Sequence, residues 1–67
     1  MSTFGDNLKM YRKQKGLSQL DFAKMMQTTQ QRVSEWECNK VEPSLYNIIK
    51  MLNVFEITFE ELTEDIK

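Results

Sequence analysis

The chain has no histidine, one cysteine, one proline and two glycines in 67 residues. A lone Cys38 cannot close an internal disulfide, which argues against a small secreted scaffold and for a reducing, cytoplasmic setting. One thiol without any imidazole cannot assemble a tetrahedral zinc set, so no metal and no other cofactor is expected. No stretch approaches the roughly 20 apolar residues of a membrane span, and the opening MSTFGDNLKMYRK lacks an apolar run of signal length, so no membrane partner is expected either. Catalytic equipment is equally scarce. Glu60, Glu61, Glu64 and Asp65 supply carboxylates, but neither a glycine-rich phosphate loop nor a nucleophile–base pair accompanies them. An enzyme acting on a small-molecule substrate is therefore not expected.

What is present suffices for one small core. Hydrophobic residues make up 40% of the chain, and the length sits near the lower limit for a domain without staples. Residues 1–67 read as a single domain with its core in 4–62, without low-complexity segments, repeats or linkers. Net charge is -1, but it is unevenly placed. Residues 1–40 carry seven cations against four anions, and residues 41–67 carry two cations against six anions. The two halves are electrically opposite.

Helical spacing recurs along the chain and no strand-type alternation competes with it. Phe4, Leu8 and Tyr11 lie on one helix face, stopped at Gly16. Ser18 caps a second helix with Asp21 in its first turn, and Phe22, Ala23 and Met26 face inward. Thr28 or Thr29 caps a third, with Val33 and Trp36 as its buried stripe. Pro43-Ser44 opens a fourth through Leu45, Ile48, Met51, Leu52 and Phe55, and Thr58 to Glu61 is a capping box ahead of Leu62. The expectation is an all-α fold of five short helices, with Trp36, Phe4, Tyr11, Phe22 and Phe55 in its core. Met10, Leu20 and Met25 fall on outward positions.

Only about three or four residues join the second and third helices, a spacing that holds them at a steep angle as a helix-turn-helix. With Thr29 as N-cap, the outward surface of the third helix reads Gln30, Gln31, Arg32, Ser34 and Glu35. Glutamine pairs bidentately with adenine, arginine with guanine, and glutamate accepts from cytosine. These five are candidate base contacts on double-stranded DNA. Candidate phosphate contacts surround them: Ser18 and Gln19 at the start of helix two, Thr29, then Asn39 and Lys40 after helix three, and Ser44, Tyr46 and Asn47 at the start of helix four.

The stretch GLSQLDFAKMMQTTQQRVSEWECNK with the following PSL resembles the helix-turn-helix of the phage-repressor/Cro family, also called the Xre family. The likeness runs without gaps from about Phe4 to Leu62, and TTQQ is similar to the tetrapeptide of lambdoid phage repressors. The resemblance implies a five-helix, λ-repressor-like domain that binds operator DNA, as a homodimer, to regulate transcription. It implies that Gln30 and Gln31 lead the base contacts, that Arg32 and Glu35 occupy variable neighbouring positions, and that Gln19 lies near the DNA backbone. It further implies an ion pair between Arg12 and Glu37. With no second domain in the chain, Phe55, Ile57 and Phe59 are expected to form the dimer contact.

The chain departs from the family pattern at several positions. Gln27, Asn39 and Glu56 stand where glycine is common, Cys38 stands for an asparagine, and Glu42 falls in a loop expected beside the phosphates. A repressor, a restriction–modification controller and a DNA-binding antitoxin component all fit this pattern. A protein-interaction module that keeps the fold without DNA binding is the reading from another class.

Overall fold

The structure, a computed structural model, describes residues 2–66. Among them are five helices and no strand: α1 (Phe4–Gln14), α2 (Gln19–Met26), α3 (Gln30–Glu37), α4 (Leu45–Phe55) and α5 (Phe59–Leu62). The all-α expectation holds, and its helix starts are set by side-chain hydroxyls. Thr3, Ser18, Thr29, Ser44 and Thr58 each take extended backbone and accept an N–H from the third helical residue, satisfying a donor that the helix cannot. At α1, α2 and α5 the backbone N–H of the cap residue donates in return to the Asp6, Asp21 or Glu61 carboxylate, completing a capping box.

The helix ends follow a second rule. Gly16, Gln27, Asn39 and Glu56 all adopt the left-handed conformation, with φ of 71°, 58°, 60° and 57°, and the chain reverses at each. After α1, for example, Gly16 donates to Lys13 O and Leu17 to Arg12 O, the paired bonds of a Schellman motif. Only the first of these four positions is a glycine.

Every helix contributes to one core. Leu8, Phe22, Ala23, Met26, Val33, Trp36, Met51, Phe55 and Leu62 are all buried. Phe22 stacks on Phe55 at 5.1 Å between ring centroids, and Tyr11 tilts against Phe55 at 5.9 Å. Two expectations need correction. Leu45 shares the spacing of the α4 stripe yet is 70% exposed, because it is the first residue of the helix and projects past the edge of the core. Phe4 and Tyr11 pack against the core from its rim and are only half buried.

Both α2 and α1 pack on α3, and α1 meets its C-terminal end at close range. Gly5 lies so close to the end of α3 that an added Cβ would collide with the Glu37 carbonyl, so the two backbones meet without an intervening side chain. Asn39 locks that approach from the other side. Its Oδ1 accepts from the Gly5 N–H at 3.0 Å and its Nδ2 donates to Thr3 Oγ1 at 2.9 Å. Asn7 ties α1 to α5 in the same manner, donating to Leu62 O and Glu64 O at 2.9 Å each.

Candidate nucleic-acid interface

Three residues, Gln27 to Thr29, separate α2 from α3. The left-handed Gln27 turns the chain, and Thr28 donates back to Ala23 O at 2.9 Å. Thr29 then caps α3, accepting from the Arg32 N–H at 3.1 Å. Val33 and Trp36 anchor the opposite side of α3 in the core. The first turn is thereby forced outward, and Gln30, Gln31 and Arg32 are all exposed. The side-chain amides of Gln30 and Gln31 make no hydrogen bond among the described residues, so their donors and acceptors face solvent. Ser34 and Glu35 are half buried one turn later. Arg32 Nε lies 3.4 Å from Glu35 Oε1. Each is therefore partly committed to the other before any outside partner arrives, although such exposed pairs are weak.

The flanking polar residues divide into two groups. Ser18, Thr29 and Ser44 use their oxygens as acceptors within their caps, which leaves each hydroxyl hydrogen free to be donated. The first two backbone N–H groups of α2 and α4 are unused within those helices, as at any helix start. Lys40 is exposed, and Tyr46 is 80% exposed at the second residue of α4. Asn47 is half buried, its backbone N–H held by Ser44 Oγ at 3.2 Å. Asn39 belongs to the other group. Its amide oxygen accepts from Gly5 and one amide N–H goes to Thr3, so it clamps α1 to α3 and keeps only its second N–H for any outside acceptor. Gln19 lies between the two groups, with one N–H given to Glu37 Oε1 at 3.1 Å.

Arg12 and Glu37 meet in the interior behind this surface. Arg12 Nε is 2.6 Å from Glu37 Oε2 and Nη2 is 3.1 Å from Oε1, a bidentate pair that is almost fully buried. Of the three residues expected at a dimer contact, Phe55 is unavailable. It is 4% exposed and stacked on Phe22, so its surface is already used by the core. Ile57 is half buried and Phe59 is exposed on α5.

A family model described as helix-turn-helix, of the phage-repressor/Cro, Xre-like type, matches residues 8–62. The chain belongs to that family. It is a DNA-binding regulator of Cro type, and the family is a regulatory one, not a family of enzymes. No curated protein matches the chain. No described helix is long and apolar enough to cross a membrane.

Three residues that cap α1 or fix its packing on α3 and α5 escaped the sequence reading. Thr3 is an ordinary hydroxyl cap that the spacing argument began one residue too late to include. Gly5 carried a usable signal, because a glycine inside a helical pattern marks a close backbone approach. Asn7 carried none, since its partners lie 55 and 57 residues away.

Proposed function

We propose that the chain is a sequence-specific transcriptional repressor that reads a pseudo-palindromic operator as a two-fold dimer, with α3 in the major groove. The observation that carries this reading is the first turn of α3. Gln30, Gln31 and Arg32 project from a helix whose other face is locked in the core, with two amides unengaged and matched to base edges. The free hydroxyl hydrogens of Ser18 and Ser44, the Lys40 ammonium and the Tyr46 phenol flank that turn as donors to phosphate oxygens. An eight-residue helix is about 12 Å long and reaches only a few base pairs, so a second copy supplies the other half-site. Phe59, exposed on α5, and the open edge of Ile57 are the apolar residues left for the contact between copies, now without Phe55.

The test is a retardation assay against a library of short palindromes, at low and raised salt. Gln30→Ala or Gln31→Ala is expected to relax base preference at one position by about 1–3 kcal/mol. Lys40→Ala is expected to weaken all sequences alike and to reduce the salt slope by about one. Half-sites one helical turn apart should bind, and a half-turn insertion between them should abolish binding. If the glutamine and lysine substitutions all leave binding unchanged, the groove assignment is wrong. Failure of every duplex would favour a protein-interaction role, to which Glu35 and Glu42 beside the proposed surface would be better suited.

A further inference from the structure

Glu37 is the only carboxylate drawn into the interior among the described residues, and its two oxygens serve three donors. The bidentate contact with Arg12 already neutralises it. The third bond, from Gln19 Nε2 to Oε1, adds little that a buried ion pair needs and does something else. It reaches across to the first residue of α2 and fixes an amide that would otherwise swing in solvent. Arg12 reinforces the same corner, donating through Nη1 to Leu17 O at 2.8 Å, one residue ahead of the Ser18 cap.

Gln19 has two N–H groups on its amide nitrogen. One is held by Glu37, which leaves the second for an outside acceptor at the helix start that also carries the Ser18 hydroxyl and the unused N–H groups of residues 19 and 20. A bare carboxylate at that distance would repel a phosphate. With Arg12 forked onto it, Glu37 presents Gln19 with an oriented acceptor and no net charge. We propose that Glu37 is a positioning residue for the backbone-phosphate contact at the start of α2, acting through Gln19. This inference rests on the DNA-binding reading above.

Removing Glu37 alone would strand the buried Arg12 charge and endanger folding, so the ion pair is removed as a unit. R12L/E37Q keeps an acceptor for Gln19, whereas R12L/E37L keeps none, and both lose the same ion pair. Gln19→Ala is then added to wild type and to each double variant, and affinity for the preferred duplex is measured. The expected cost of Gln19→Ala is roughly five-fold in wild type and in R12L/E37Q, and less than about two-fold in R12L/E37L. An equal cost in all three backgrounds overturns the proposal and leaves DNA binding standing. A wild-type protein that retards no duplex overturns the DNA reading itself, a different and recognisable failure. One measurement needs no variant. The Gln19 side-chain amide should give an ordered NMR signal in the free wild-type protein, and an order parameter below about 0.6 there overturns the proposal outright.

Discussion

At the scale of single residues, four non-glycine side chains among the described residues sit in a conformation that L-amino acids avoid, Asp65 and three at helix ends, and those three differ in what they gain from it. Gln27, Asn39 and Glu56 all have φ near 60°, where a Cβ crowds the following carbonyl and costs roughly 1–2 kcal/mol. Glycine removes that cost but adds unfolded-state entropy, so the net gain is expected to be about 0.5–1 kcal/mol. Gln27→Gly and Glu56→Gly should each raise Tm by a few degrees, read by thermal denaturation. Glu56 also faces Lys15 at 3.2 Å, but both side chains are well exposed and the pair contributes little. Asn39→Gly should lower Tm, because it deletes the bonds to Thr3 and Gly5. The resemblance had already pointed to all three as glycine-like positions. What it could not supply was the difference between them, since the partners of Asn39 lie 34 and 36 residues earlier in the chain. A pH effect belongs at this scale too. Loss of solvation, with the Glu61 and Glu64 carboxylates adding to it, raises the Tyr11 phenol above its ordinary pKa of 10.0. A raised pKa means the folded state holds the proton more tightly, so the contribution is full below pH 10.0 and is lost as pH rises past the folded value. Wild type should therefore lose more Tm than Tyr11→Phe between pH 10 and pH 11.5, a comparison in which every other group is common to both.

At the scale of helices, the close apposition of α1 and α3 holds the C-terminal end of α3 in place. Helix propensity alone favours alanine over glycine by about 1 kcal/mol, so Gly5→Ala within α1 would stabilise an isolated helix. Here the new Cβ meets the Glu37 carbonyl, a backbone group that cannot rotate away. The expected result is destabilisation of about 1–3 kcal/mol by chemical denaturation, opposite in sign to propensity. An unchanged or raised midpoint would show that α1 and α3 are not in such close contact. The elements themselves were legible from spacing and hydroxyl caps, because both are local signals of three and four residues. Leu45 shows where that reading ends. Periodicity assigns a residue to a face but says nothing of where along the helix the core stops, and the core begins one turn later at Ile48. Phe55 fails for a related reason. Its sequence position suits both a core and an interface role, and only the stacked ring of Phe22, 33 positions away in sequence, shows that one role consumes it. On α3, by contrast, the outward register of Gln30 to Arg32 followed from the cap and the Val33–Trp36 stripe, and so could be read without coordinates.

At the scale of the whole molecule, charge is separated along the chain, and that separation governs how DNA affinity should respond to salt. The excess of cations lies in residues 1–40 and the excess of anions in residues 41–67. Glu42 breaks the arrangement. It is exposed in the loop between Lys40, a candidate phosphate contact, and the Ser44 cap of α4, where, on the proposed docking, a carboxylate would face the same polyanion that its neighbours would bind. Removing one like charge within a Debye length of the phosphates, about 8–10 Å at physiological salt, strengthens binding through a screened Coulomb term. Glu42→Gln should therefore tighten binding several-fold at low salt for every duplex, with no change in base preference. The gain should shrink as ionic strength rises and vanish near 1 M, where screening acts within about 3 Å. Glu60→Gln on α5 is the control, because it lowers the net negative charge equally but lies in the helix that packs on α1. Fluorescence anisotropy titrations of both variants across a salt series separate a local repulsion from a general charge effect. Equal gains from the two substitutions would mean that only total charge matters and that the loop before α4 does not run beside the phosphates.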